Sequence, residues 1–441
     1  MEQFWNALKK QIKPLMPSWA IDASHGLRAV AAAMSYRFPA RGMTVIAVTG
    51  TNGKTTTANM IAQILEAANE RVAMLSTVNF RIAGRSFPNE TKMTTISPFV
   101  LQQFIAKART NGARTNGAKF LVLETTSHAI KQHRIWGIPI DMAVLTNVTH
   151  DHLDYHATFK EYRATKTRLF RSARFAIINH DDPSASVFEK ASRGTRLSYG
   201  VHTRADIMAR KLFRQTGSTM FSLITPIGQV VIDLPLPGLF NVSNALAAAA
   251  AVIPYGVSLG LLKKTLEHFE AVSGRMEVLS FGQPFTVLVD YAHTPDAFEK
   301  IYAALKGGYK GRLIHVFGAT GDRDKTKRPI LGALAGRNAD IVIVTNEDPY
   351  TEDPQEVIDQ VAQGVARGAR KYDPKRLGEN FFVVADRREA VRLALGMAKR
   401  NDLVLLTGKG HERVMAVGTT MVPYSEQAVV REELKELGYG R

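Results

Sequence analysis

Nine short, unbroken apolar runs recur along the chain, most followed by a longer stretch of helical periodicity, and this alternation limits the fold more than any other feature. They are TVIAVT from Thr44, KFLVLET from Lys119, DMAVLTN from Asp141, FAIIN from Phe175, FTVLVD from Phe285, RLIHVF from Arg312, DIVIVT from Asp340, FFVVAD from Phe381 and DLVLLT from Asp402. A strand with one wet face alternates apolar and polar residues; these do not, so they read as strands covered on both faces. Parallel strands joined by crossover helices meet that condition, and the pattern predicts a doubly wound α/β protein. From Thr195 to Pro237 the runs become short, alternating and broken by Gly and Pro, which predicts an antiparallel appendage. The second series of runs starts afterwards, with a natural boundary near Ser273 and Gly274. The expected division is a short N-terminal helical segment over 1–43, a central domain over 44–273 and a C-terminal Rossmann-like α/β domain over 274–441.

The ends of this scheme are less regular. Phe4, Trp5, Leu8, Ile12, Leu15 and Met16 recur at helical spacing beside Lys9, Lys10 and Lys13, which suits either a helix docked on the protein's own core or a basic helix on a membrane surface. RTNGA occurs twice in succession, at 109–113 and 114–118, and its Asn-Gly pairs predict a surface turn. The N-terminus lacks the long apolar region and cleavage site of a signal peptide. The most apolar later stretch, 245–262, is broken by Pro254, Gly256 and Gly260 and follows a cap-like Asn-Val-Ser-Asn. It reads as a buried helix, so a cytoplasmic protein without an integral membrane segment is expected, and a monomer. The chain contains no cysteine, which removes disulfides, thiol nucleophiles, Fe–S clusters and Cys-ligated zinc from consideration. Its 57 Lys+Arg against 40 Asp+Glu give a net charge of +17, which favours a polyanionic partner without choosing among nucleic acid, anionic membrane and phosphorylated small molecules.

Two motifs carry chemistry by themselves. VTGTNGKTTT, at 48–57, lies where a strand gives way to a helix. Gly50 and Gly53 let backbone N–H groups approach phosphate oxygens, Lys54 reaches the β/γ-phosphates and Thr55 suits Mg2+. Its G-x-x-G-K-T spacing is shorter than the usual P-loop, and a glycine-rich turn that binds nothing is the alternative. NVTHDHLDYH, at 147–156, follows the third run and gathers three histidines and two aspartates at the carboxyl end of a predicted parallel strand, where α/β sheets bind ligands. Glu124, closing the neighbouring KFLVLET run, is a second candidate magnesium ligand.

With these motifs stand ETTSHAIKQHR at 124–134, YRATK at 162–166, GLFNVSNALAA from Gly238, GRME at Gly274, VDYAHTPDA from Val289, GATGDRDKTKRP from Gly318, EDPYTEDP from Glu347 and GKGHE at Gly408. Together, and in this order, they resemble the Mur ligases, most closely the MurE type. The resemblance implies ATP-dependent amide formation: the D-Glu side carboxylate of UDP-MurNAc-L-Ala-D-Glu is phosphorylated, and the amine of an incoming amino acid displaces the phosphate. It implies that residues Gly50, Thr51, Asn52, Gly53, Lys54, Thr55 and Thr56 bind ATP, with Asn241 and Asn244 on the adenine side and Arg275, Asp290 and His293 reaching it from the third domain. It places one magnesium on Thr55 and Glu124 and a second on His152, with Lys166, carbamylated by CO2, supporting a metal; Lys54, Glu124, His152 and Lys166 form the catalytic set. Thr94, Thr95, Thr126, Gln132 and Arg134 match acceptor-binding positions.

For the amino acid, the resemblance implies Arg323 on the α-carboxylate, with Asp348, Tyr350, Gly408 and Glu412 around the rest. Where family members that use meso-diaminopimelate carry D-N-P-R, this chain has Glu347, Asp348, Pro349 and Tyr350. Arginine has become tyrosine and the surroundings are acidic, which predicts a basic amino acid such as L-lysine or L-ornithine. Only 43 residues precede Thr44, against about a hundred in a uridine-binding domain, so the expected N-terminal region is reduced and the acceptor is the UDP-linked dipeptide or a similar anion. A ligase of the folylpolyglutamate or poly-γ-glutamyl type is the runner-up. A nucleic-acid-binding P-loop ATPase would explain the charge but leaves the GDRD, EDPYTEDP and GKGHE motifs unexplained, and no nucleic-acid partner is expected.

Overall fold

The computed structural model describes residues 18–82, 84–89, 94–110, 117–149, 155–215, 217–368 and 378–440. The helix expected between Phe4 and Met16, most of the RTNGA repeat, and His150, Asp151, His152 and Asp154 lie outside them. The chain divides into two compact units: one of the described residues up to Val148 with Lys160–Ile207 and Ala247–Leu261, the other of the described residues of Thr149–Phe159 with Met208–Leu246 and Leu262–Arg441.

In the first unit, β1 (Thr44–Thr49), β2 (Val72–Leu75), β3 (Asn79–Ile82), β4 (Arg85–Pro88), β5 (Phe120–Glu124), β6 (Met142–Leu145), β7 (Phe175–Asn179) and β8 (Thr195–Gly200) stand in the order β8-β7-β6-β1-β5-β2-β3-β4. Every pairing in this order is parallel except β2–β3 and β3–β4, which are antiparallel. Val45, Ile46, Val48, Leu121, Val122, Ala143 and Val144 are fully buried. Each buried Val, Leu or Ile side chain contributes about 1.5–3 kcal/mol, which is why these segments carry no polar alternation. β8, expected in the antiparallel appendage, pairs parallel with β7 instead, from Phe175↔Thr195 to Asn179↔Tyr199. The helix Ala185–Ala191 supplies the return that parallel pairing requires, and its short length hid it among turn residues.

In the second unit, β9 (Ile207–Gln215), β10 (Ser218–Thr225) and β11 (Gly228–Leu234) form the antiparallel ladder. A second sheet holds β12 (Glu277–Leu279), β13 (Thr286–Asp290), β14 (Leu313–Phe317), β15 (Ile341–Val344), β16 (Phe381–Val383) and β17 (Leu403–Thr407) in the order β12-β13-β17-β14-β15-β16, antiparallel only at β12. β18 (Val414–Val417) and β19 (Thr420–Pro423) make a separate hairpin.

The alanine-rich helix runs Leu239–Val252, so Asn-Val-Ser-Asn lies inside its first turns rather than capping it. Gly238, at φ +97, makes the sharp entry, and Asn241 Nδ2 donates to the Pro237 carbonyl at 2.9 Å. Residues 245–252 are buried, as expected of that stretch. Among the described residues no helix is long and apolar enough to cross a membrane.

Candidate active site

In the first unit the sequence motifs meet at the carboxyl ends of β1, β5 and β6. The P-loop turns between β1 and the helix Lys54–Ala67, with Gly50 at φ +155 and Gly53 at φ +83. A Cβ on Gly50 would fall 1.9 Å from Thr146 Oγ1, so only glycine lets the loop lie against the end of β6. The Thr51 and Asn52 amides donate to Asn147 O at 2.7 Å and Asn147 Oδ1 at 2.9 Å, and Thr146 Oγ1 and Asn147 Nδ2 donate to Asn52 O at 2.7 and 2.9 Å. Lys54 Nζ donates to Thr51 O at 2.6 Å, holding its ammonium over the loop.

Lys166 enters the same loop from the helix Phe159–Ser172. It is 1% exposed, and its Nζ donates to Gly50 O at 2.8 Å and lies 4.6 Å from the centroid of the Tyr162 ring one helical turn earlier. The Tyr162 hydroxyl in turn is 3.0 Å from Thr51 Oγ1. The spacing of Tyr162 and Lys166 therefore aims both side chains of one helix face at the P-loop.

Glu124 closes β5 at the register Val48↔Glu124. Its Oε2 accepts from Thr55 Oγ1 at 2.9 Å and from the Thr77 amide at 2.8 Å, and the Thr77 hydroxyl is 2.9 Å from both Glu124 Oε1 and Thr94 Oγ1. Thr95 Oγ1 donates to Glu124 O at 3.0 Å, and Arg134 Nη1 donates to Thr95 O at 2.5 Å. Gln132 Oε1 accepts from Arg134 Nε and Nη2 at 2.9 and 2.6 Å, and Thr126 caps the short helix Ser127–Lys131 by accepting from the Ala129 amide. Thr94, Thr95, Gln132 and Arg134 thus form a polar cluster continuous with Glu124, with Thr126 close to Thr95 through a 3.4 Å amide contact.

In the second unit the motifs again sit at carboxyl ends of parallel strands, here β13, β14, β15 and β17. Asp290, at the end of β13, accepts from the Met276 and Ala292 amides at 2.8 and 2.7 Å; burial raises its pKa, and Arg275 opposes the rise. The Arg275 guanidinium stacks 4.7 Å from the Tyr291 ring centroid. Tyr291 packs edge-on to His293 and tilted against His411, each about 5 Å away, and its hydroxyl reaches Glu412 Oε1 at 3.4 Å. Burial drives the His411 pKa down to about 3, with Arg275 and Lys409 adding to the shift, so its imidazole is neutral.

After β15 come Glu347 and Asp348, both 3% exposed. Asp348 Oδ1 accepts from Lys409 Nζ at 2.9 Å and from the Ala416 amide at 2.6 Å. Lys409 Nζ also donates to Glu412 Oε2 at 2.5 Å. Burial alone would lower the Lys409 pKa, but Glu412 and Asp348 raise it above the ordinary lysine value, so it carries its charge. Glu347 Oε2 has no hydrogen-bond partner; burial pushes its pKa up to about 7, with Arg387 as the largest opposing charge. A Cβ on Gly408 would fall 2.3 Å from that oxygen. Arg323 lies 5.9 Å from the Tyr350 ring centroid.

The sequence matches two family descriptions, the Mur ligase middle domain over residues 48–252 and the Mur ligase glutamate ligase domain over 274–410. It is 37% identical over 430 residues to the UDP-N-acetylmuramoyl-L-alanyl-D-glutamate–2,6-diaminopimelate ligase of Geobacillus thermodenitrificans, covering 96% of this chain and 85% of that protein. The chain belongs to the Mur ligase family. A UDP-N-acetylmuramyl-tripeptide synthetase of Roseiflexus is 39% identical over 442 residues with the same coverage. A solved diaminopimelate ligase structure superposes with a TM-score of 0.62 at 32% identity, over 90% of this chain and 80% of that one. As a Mur ligase the protein is an ATP-dependent enzyme that joins an acid to an amino acid.

Three residues of this Mur ligase were not singled out in the sequence. Thr77 sits in a turn with no motif, and only its contacts to Glu124 reveal it. Tyr291 and Lys409 lie inside VDYAHTP and GKGHE, where the neighbouring charged residues drew the attention. Asn241 and Asn244 are joined to each other at 3.3 Å in the first turns of their helix. His152 lies outside the described residues, and among those described no group of three or more His, Cys, Asp or Glu side chains is arranged to hold a metal.

Proposed function

We propose that this ligase adds a diamino acid to the D-Glu side carboxylate of UDP-MurNAc-L-Ala-D-Glu, forming a peptidoglycan tripeptide precursor in the cytoplasm as a monomer. The observation that carries the reading is the extent of the match: relatives named for this reaction align with 96% of the chain at 37–39% identity. The proposed domain limits are 44–273 and 274–441. Lys54 and the P-loop receive the phosphates of ATP, and Asn241, Asn244, Arg275, Asp290 and His293 keep the nucleotide-contacting roles that the family resemblance implies. Arg134, supported by Gln132 and the threonines 94, 95 and 126, receives the acceptor's anionic groups. Arg323 takes the α-carboxylate of the amino acid.

Magnesium fits the first unit's donors. Thr55 Oγ1 and Glu124 Oε2 are neighbouring hard oxygens, 2.9 Å apart, and Mg2+ favours one or two such protein ligands beside substrate phosphates. Lys166 is enclosed beside the P-loop, a setting in which its carbamate would supply an anionic oxygen for a metal; His152 keeps the metal-ligand role that the family resemblance implies. When bound, the metals neutralise charge between the two anions that react. The acceptor carboxylate oxygen bonds to the γ-phosphorus as the bond to ADP breaks; the amine then bonds to the carbonyl carbon, phosphate leaves, and the amine loses a proton.

Phosphate release measured with ATP and UDP-MurNAc-dipeptide tests the reading. Release that requires L-lysine, L-ornithine or meso-diaminopimelate supports it; release driven instead by folate with glutamate, or by DNA, overturns it. Lys166→Ala is expected to lose at least about a hundredfold in rate, the scale of removing one electrostatic catalytic group, and to regain part of it on adding a short carboxylic acid. Full activity of that variant without supplement would exclude the carbamate.

A further inference from the structure

The Glu347 and Gly408 motifs bring three carboxyl side chains, Glu347, Asp348 and Glu412, into one cluster, and one of the protein's own cations is already part of it. Lys409 is wholly buried, and its ammonium bridges Asp348 Oδ1 at 2.9 Å and Glu412 Oε2 at 2.5 Å. Asp348 is tied a second time, to the Ala416 amide, and Glu412 is tied through Oε1 to the Tyr291 hydroxyl. The third acid, Glu347, has a carboxylate oxygen that is buried and lacks any hydrogen bond. A buried polar atom in this state gains the full value of a hydrogen bond from any donor that reaches it.

We infer that Lys409 is a positioning residue for the incoming amino acid, an internal ammonium that locks Asp348 and Glu412 in place and leaves Glu347 as the acid that meets a cationic group of the substrate. This rests on the diamino-acid ligase reading above and deepens it. The lysine and a substrate ammonium are chemically alike, so a pocket without Lys409 would hold two further carboxylates open to cations and would lose the fixed geometry that selects one. Arg387 does not substitute for it: its guanidinium is committed to Glu426, with Nη2 at 2.7 Å, and to the Thr407 carbonyl at 2.7 Å. The other charges facing the cluster include Arg275, over Tyr291, Arg323, over Tyr350, and Lys327.

Steady-state kinetics on Lys409→Ala and Lys409→Met test this, with the wild type as control. The wild type must show amino-acid-dependent phosphate release; if it does not, the ligase reading itself fails, whatever the variants do. Given that dependence, both variants are expected to raise the amino-acid KM by about tenfold or more, the scale of a lost charge-assisted pair, while the ATP KM stays within about twofold. Added n-butylammonium should lower the amino-acid KM of Lys409→Ala, whose vacated space admits it, and leave Lys409→Met unchanged because the methionine fills that space. An unchanged amino-acid KM in either variant overturns the inference. So does a fall in kcat alone with both KM values constant, since that is the signature of a smaller folded fraction. If Lys409→Ala does not fold, the methionine variant decides by the same KM comparison.

Discussion

Tyr350 stands in the left-handed region at φ +49, and its backbone is held on both sides by the β18–β19 hairpin: its amide donates to Ala416 O at 3.2 Å and its carbonyl accepts from Gly418 N at 2.7 Å. The backbone cost of that conformation is the same for any unbranched side chain, so Tyr350→Arg changes the side chain without adding strain. A charge-assisted hydrogen bond contributes about 1.5–3 kcal/mol, so the variant is expected to shift preference toward meso-diaminopimelate by roughly 10- to 150-fold in competition with L-lysine and L-ornithine. A wild type that already prefers meso-diaminopimelate would remove tyrosine as the discriminating residue. Glu347 makes a pH prediction at the same scale. Its folded pKa, about 7, lies above the ordinary value of 4.5, so between these pH values the folded state binds more protons than the unfolded one and stability falls as pH rises. Glu347→Gln removes that penalty: its melting temperature relative to wild type should be higher at pH 8 than at pH 4.5, and the gap should open between pH 4.5 and 7. A difference that does not vary with pH would refute the shifted carboxyl.

Between elements, the helices Lys327–Asn338 and Pro354–Gly368 of the second unit meet backbone to backbone. A Cβ on Gly332 would fall 2.1 Å from Val361 O, and one on Gly364 would fall 2.1 Å from Pro329 O, so the backbones touch where other residues would hold them apart. The first helix begins directly after the loop that carries Arg323, and Arg328 in its first turn is bound by Glu352 through two bonds of about 3 Å. Gly332→Ala must push the helices apart, at a cost of about 1–3 kcal/mol. Denaturant unfolding should show that loss together with a raised amino-acid KM, because the displaced helix carries the Arg323 loop with it. A variant as stable as wild type would mean that the pair yields without cost.

Over the whole molecule the net charge of +17 has a kinetic consequence. ATP and a UDP-linked dipeptide are both polyanions, and a basic protein concentrates them by long-range attraction that salt screens over about 8 Å at physiological ionic strength. Raising the salt from about 0.05 to 0.3 M is therefore expected to increase the KM of both anionic substrates several-fold and to change kcat and the KM of a zwitterionic amino acid much less. Equal salt effects on all three would place the charge outside substrate capture.

The α/β class, most strand positions and the placing of the VTGTNGKTTT, ETTSHA and EDPYTEDP motifs at strand ends follow from local sequence, because an apolar run and the glycine or charged cluster after it are adjacent in the chain and governed by burial and backbone sterics. Lys54 and Glu124 were legible for that reason, whereas Lys166, inside a helix, stood out only through the family resemblance of YRATK. Tertiary structure alone decided which ends meet. Thr77 reaches Glu124 across 47 residues, and Lys409 reaches Asp348 across 61. Those contacts depend on the strand orders β1-β5-β2 and β17-β14-β15, which are set by non-local pairing and crossover packing rather than by periodicity. The same cause turned β8 parallel, and it also determined which of three acids in one pocket remained open: chain order brings Glu347, Asp348 and Glu412 to the site alike, and only the folded position of one buried ammonium tells them apart.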